Sequence, residues 1–193
     1  MASPALKLSL YDFLAWENAQ VTRHEFYRGE VFAMVGARRV HGLVGLNLAS
    51  ALKQHLKGTR CRAFAEAMKV QLANDAIFYP DVFVTCDEQD LKTDMVFRHP
   101  KLIVEVLSDS TQAYDRGLKF AAYRQIDSLQ EYVLVDPDSR RVEVFRRNER
   151  GNFELIDQTG AAELVLDSVG LKLAMAEVFD GIEGDEGKAV AAA

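Results

Sequence analysis

Apolar side chains at Val40, Leu43, Val44, Leu48, Leu52 and Leu56 recur at intervals of mostly three and four, which places them on one stripe and predicts an amphipathic helix from about Arg39 to Leu56. Gly58 follows and stops it. Before this helix, Ser9 with Asp12 three residues on has the form of a capping box opening a short helix through about Glu17. Residues His24 to Val35 fall into two β-prone pieces about Arg28-Gly29, which reads as a hairpin with Glu30 near its turn. Beyond the long helix, apolar and β-branched runs predict strands near Cys61 to Phe64, Met68 to Leu72, Ile77 to Thr85 and Leu102 to Leu107. A helix is expected from about Asp115 to Ile126. Further strands follow at Glu131 to Asp136, Val142 to Arg147 and Phe153 to Asp157, and a short helix at about Ala174 to Phe179.

Helices alternating with strands of apolar interior suggest a mixed sheet packed between helices, with any site at strand ends or at a bend. The chain of 193 residues is one domain's worth, expected to span 1–180, with a disordered Gly-, acid- and Ala-rich tail at 181–193. No linker or repeat divides it. With 49% hydrophobic and 27% charged residues it has the composition of a globular protein. Neither a run of roughly 18 apolar residues nor a cationic, apolar start is present, so no membrane span and a cytoplasmic location are expected. In that compartment Cys61 and Cys86 are expected to be free buried thiols, although they could pair. The four histidines have no zinc-ligand spacing.

Chemistry concentrates in three fragments. Tyr79-Pro80-Asp81 opens a β-rich run, Leu102-Ile103-Val104-Glu105-Val106-Leu107 is a second, and Lys119 sits on a helix just beyond. If the two strands adjoin, Asp81 and Glu105 form a carboxylate cage for a divalent ion beside an ammonium group, the minimal equipment for metal-assisted phosphodiester hydrolysis. A Pro-Asp pair at a strand start is common for structural reasons alone. Glu105 carries more information, because a carboxylate inside so apolar a strand must be compensated. A buried ion pair with Arg or Lys would serve equally. For Lys119, the alternative is a surface pair with Asp115 four positions earlier.

These fragments stand in a wider series: Ser9-Leu10-Tyr11-Asp12-Phe13-Leu14, His24-Glu25-Phe26-Tyr27-Arg28-Gly29-Glu30, His41, Tyr79 to Val84, Val104 to Ser108, Asp115 to Lys119 with Tyr123, and Glu131 to Asp136. In that order they resemble the Uma2-type proteins, a branch of the PD-(D/E)XK superfamily. The resemblance implies an α/β (α+β) fold with a restriction-endonuclease-like mixed β-sheet core flanked by helices. It implies Asp81, Glu105 and Val106 as metal positions, Mg²⁺ or Mn²⁺ as cofactor, and Lys119 as the catalytic lysine. Leu107 occupies the superfamily's usual lysine position, so the lysine is displaced onto the following helix. Glu30 and His41 enter as secondary candidates. By analogy with the fold, a two-fold homodimer is expected.

Charge refines the choice of partner. The formal net charge of −6 argues against indiscriminate coating of nucleic acid, yet between Glu30 and Glu66 there is no acid, while Arg38, Arg39, Lys53, Lys57, Arg60 and Arg62 all fall there. Such a stretch can steer a phosphate backbone or be a solvated helix face. A second cluster, Arg140, Arg141, Arg146, Arg147 and Arg150, can serve solubility or a subunit contact. Two functions fit: a Mg²⁺- or Mn²⁺-dependent endonuclease acting on DNA, or a non-catalytic DNA-binding or assembly protein that keeps the fold. Complete Asp, Glu and Lys positions favour the first.

Overall fold

The computed structural model describes residues 8–73, 75–108 and 111–182; from residue 183 on, the expected disordered tail lies outside them. The elements in chain order begin with α1 (Leu10–Glu17), β1 (His24–Tyr27), β2 (Glu30–Ala33), α2 (Arg39–His55), β3 (Arg62–Ala65) and β4 (Lys69–Leu72). Next come β5 (Ala76–Phe78), β6 (Val82–Thr85), β7 (Val96–Phe97) and β8 (Pro100–Val106). A helical stretch follows as α3 (Gln112–Tyr114), a π-helical turn (Asp115–Lys119) and α4 (Phe120–Tyr123). The chain continues through β9 (Glu131–Asp136), β10 (Arg141–Arg147), β11 (Phe153–Asp157), β12 (Glu163–Leu166), β13 (Leu171–Ala174) and α5 (Met175–Val178).

The central sheet has the order β11-β10-β9-β8-β6-β3, with β8 and β9 parallel and its other pairs antiparallel. Its inner strands β6, β8 and β9 are buried nearly throughout because both faces are covered there. Val82, Val84, Val104, Val106, Val133 and Val135 pack with Val44, Leu48 and Leu52 of α2 and with the β12–β13 hairpin. Phe83, Ile103, Leu107, Tyr132 and Leu134 face the other way, toward Tyr123 and the second sheet, β2-β1-β5-β4-β7. Ser9 caps α1, its Oγ accepting the Asp12 N–H at 3.2 Å.

Two expectations change. The run Ile77 to Thr85 is not one strand: β5 joins the second sheet and β6 the central one. Pro80, which lacks an N–H, lies in the break, where a continuous ladder cannot pass. The cysteines are not free thiols. Continuing the β3–β6 register from Arg62↔Thr85 sets Cys61 opposite Cys86, and the two form a disulfide with Cα atoms 4.0 Å apart. Strands β7, β12 and β13 were not anticipated; β7 has only two residues, while β12 and β13 form a hairpin whose positions alternate between buried and more exposed. Among the described residues, no helix is long and apolar enough to cross a membrane.

Candidate active site

The break at Pro80 places Asp81 at the mouth of the central sheet. Val82 pairs with Val104 in the antiparallel β6–β8 ladder, so one further step in register sets Asp81 opposite Glu105. The Asp81 carbonyl accepts the Glu66 N–H at 3.0 Å, and its Oδ2 accepts the Val106 N–H at 2.7 Å. His41 arrives from the first turn of α2, with Nε2 3.2 Å from the same Oδ2. Burial pulls the His41 imidazolium down, but the hydrogen bond and charge of Asp81, with the Val106 backbone, outweigh it and raise its pKa.

Glu105 points to the opposite side of β8 from Val104 and Val106 and is 2% exposed. Its Oε1 accepts hydrogen bonds from Lys119 Nζ and from the Tyr123 hydroxyl, both at 3.2 Å. Lys119 Nζ also lies 2.9 Å from Glu25 Oε1 and 3.3 Å from Asp115 Oδ1. Glu25 is fixed in turn by the Tyr79 N–H, at 3.2 Å. Three carboxylates therefore surround one ammonium group, with Asp81 contributing further negative charge. Burial raises the pKa of Glu25, Glu105 and Asp115 despite Lys119. Burial opposes the charge on Lys119, yet Glu105, Glu25 and Asp115 together raise its pKa well above the usual lysine range. The cluster holds more carboxyl groups than its one lysine can pair, and burial disfavours their ionised forms, a condition that a bound cation relieves.

The fold thus gathers Asp81, Glu105, Val106, Lys119 and His41 into one place. Glu30 is not brought in: it is exposed at the start of β2, opposite Tyr27, and no contact to the cluster is seen among the described residues. Glu25, on the adjacent strand, takes that place, and Tyr114 and Tyr123 complete the walls. The signal for Glu25 was available, since it precedes two aromatic residues in a strand. Asp115 and Lys119 are not a surface pair: both are buried.

A second acid cluster lies elsewhere. Asp87, Asp90 and His99 present ligand atoms within 4.8 Å of one another. Their oxygens already accept the Gln89, Asp90, Arg98 and His99 N–H groups and the Thr85 hydroxyl. The C-terminal basic cluster is also partly committed. Arg146 pairs with Glu131 and Asp167, and Arg147 donates to the Leu129, Ile126 and Arg124 carbonyls.

The sequence matches the family described as "Uma2: Putative restriction endonuclease" over residues 10–176. It is 35% identical over 182 residues to the uncharacterized protein slr1290 of Synechocystis sp. (strain ATCC 27184 / PCC 6803 / Kazusa), covering 94% of this chain and 96% of that one. It is 33% identical over 143 residues to the uncharacterized protein sll1609 of the same organism, covering 72% and 81%. The fold is similar to a crystal structure described as "a putative nuclease belonging to DUF820" from Anabaena variabilis ATCC 29413. That similarity has a TM-score of 0.73 and 20% identity, over 89% of this chain and 97% of that one. The matched segment takes in every element from α1 to β13, and the chain belongs to the Uma2 family.

Proposed function

We propose that this chain is a Mg²⁺- or Mn²⁺-dependent endonuclease that hydrolyses DNA phosphodiester bonds. The observation that carries this reading is the β6–β8 register that sets Asp81 opposite Glu105, with Lys119 against Glu105. Membership of a family described as "Putative restriction endonuclease" supports it. The donor set fits a hard divalent ion: Asp81 and Glu105 offer carboxyl oxygens and Val106 a backbone carbonyl, and the burial that disfavours the ionised form of Glu105 is a cost such an ion offsets. Such an ion supplies Lewis acidity toward the phosphate and lowers the pKa of a bound water.

The chain's own residues do the rest. Tyr123 and Lys119 hold Glu105 in a single orientation through its Oε1, and the Val106 N–H does the same for Asp81. Lys119, kept cationic by its three acids, stabilises charge growing on the phosphate oxygens and orients the attacking water. The water oxygen bonds to phosphorus as the P–O bond to the leaving sugar oxygen breaks; one proton leaves the water and one reaches the leaving oxygen. A two-fold dimer would bring two such sites to the two strands, a point for gel filtration with light scattering.

The test is nicking of supercoiled plasmid with Mn²⁺ by the wild type, Asp81→Ala and Glu105→Ala, with thermal unfolding in parallel. The expected result is cutting by the wild type alone, with all three folded. Equal cutting by all three would remove the assigned cage. Retained DNA binding without cutting by the wild type would favour the non-catalytic alternative.

A further inference from the structure

Tyr114 stands out among the polar groups around the cluster. Its hydroxyl oxygen is buried and has no hydrogen-bond partner among the described residues. A buried donor left unpaired costs about 1–3 kcal/mol, and an orphaned group in a native fold calls for an explanation, of which a catalytic role is one. The ring is fixed on several sides: it meets Phe78 edge-on at 6.3 Å and Phe32 at 5.8 Å, and Lys119 Nζ lies 5.7 Å from its centroid.

The local backbone explains this placement. Tyr114 and Lys119 are five residues apart, and in a regular α-helix of 3.6 residues per turn such residues diverge in direction. Here the turn Asp115–Lys119 is π-helical. Its i→i+5 pattern inserts one residue into the turn, which brings Tyr114 and Lys119 onto a common side facing the carboxylates. Burial, together with Glu25, Asp115 and Glu105, holds the phenol protonated well beyond its ordinary range, with Lys119 only partly opposing. Tyr114 is therefore a protonated donor whose ring lies beside the Lys119 ammonium and whose hydroxyl has no acceptor among the described residues.

We propose that Tyr114 is a further catalytic residue of this site, its hydroxyl donating a hydrogen bond to a non-bridging oxygen of the scissile phosphodiester alongside Lys119. This inference rests on the endonuclease reading above. The phosphate oxygen is an acceptor that carries growing negative charge in the transition state, so the bond strengthens where it accelerates the reaction.

Tyr114→Phe deletes the hydroxyl and keeps the ring. Single-turnover nicking by wild type, Tyr114→Phe and Asp81→Ala is compared in Mn²⁺, duplex binding is compared in Ca²⁺, and unfolding is followed for all three. Tyr114→Phe should unfold at or above the wild-type temperature, bind duplex within about threefold of wild type, and cut at least about tenfold more slowly. On substrates carrying a phosphorothioate at the scissile position, the penalty of Tyr114→Phe should shrink for one diastereomer, because sulfur is a poor acceptor. Cutting by Tyr114→Phe at the wild-type rate, or a slower rate accompanied by a lower unfolding temperature, would overturn this inference and leave the endonuclease reading standing. If the wild type cuts no better than Asp81→Ala, that reading falls and takes the inference with it.

Discussion

Val106 donates its backbone N–H to Asp81 Oδ2 across 2.7 Å, and this single bond ties the turn that follows Pro80 to the end of the longest strand in the site. Because Val106 directly follows Glu105, the bond also fixes the spacing of the two acids. A carboxylate held by a backbone donor keeps its orientation without a long side chain to order. The separation of Asp81 and Glu105 is thus set by the β-ladder rather than by rotamers.

Ligand binding should register in stability. With Mn²⁺ at a hundredfold excess over its dissociation constant, the wild type should gain about 2.7 kcal/mol, or roughly 5–10 °C for a domain of this size. Differential scanning calorimetry with and without Mn²⁺ measures this. Asp81→Ala should lose most of the gain, and an equal gain in that variant would place the ion elsewhere, with Asp87, Asp90 and His99 the next cluster to test.

Lys119 should be hard to replace. Lys119→Met leaves Glu25, Glu105 and Asp115 facing one another without their common cation, a cost of about 3–5 kcal/mol by analogy with broken buried pairs. Lys119→Arg keeps the charge but not the compact ammonium geometry, so it should restore stability far better than nicking rate. Denaturant unfolding and plasmid nicking on the same preparations separate the two effects; full activity in Lys119→Arg would make the lysine a charge balance only.

Glu25 supplies a pH dependence with a definite sign. Burial raises its folded pKa above the ordinary 4.5, Lys119 pulling the other way, so the folded state retains a proton that the unfolded chain has released. Stability from this group is therefore greatest at low pH and declines as pH rises from about 4.5 through the raised value. Glu25→Gln cannot titrate. In metal-free buffer, its unfolding temperature relative to wild type should climb as pH rises above about 4.5; a flat difference would refute the burial argument.

The Cys61–Cys86 bridge encloses a sequence separation of 25 residues and staples the edge strand β3 to β6. Thiol titration of the denatured, unreduced protein should find no free thiol, and two after reduction. Reduction should cost about 3.5 kcal/mol for a loop of this length, lowering the unfolding temperature by roughly 7–14 °C. Two titratable thiols before reduction would return the cysteines to the free state expected from composition.

Much of the architecture was legible where periodicity was long. The α2 stripe, the β1–β2 hairpin and β11 announce themselves through spacing and nearby glycines, and β9 through a continuous apolar run that burial on both faces imposes. β7, with two residues, carries too few to express a period. The division of Ile77 to Thr85 was marked by Pro80 but overshadowed by the apolar residues on both sides. Glu25 and Glu105 share a signature, a carboxylate inside a strand, yet only the latter lies in a run apolar enough to draw attention.

By itself the sequence determined that acids and a lysine sit beside apolar strands, and so which side chains could not remain uncompensated. Only the tertiary structure decided which of them meet. Register set Asp81 against Glu105, the π-helical turn aimed Lys119 and Tyr114 at the same charge, and β1 rather than the hairpin turn supplied the remaining acid. These are long-range pairings of strands and helices, and one residue's shift in register would turn each side chain to the opposite face.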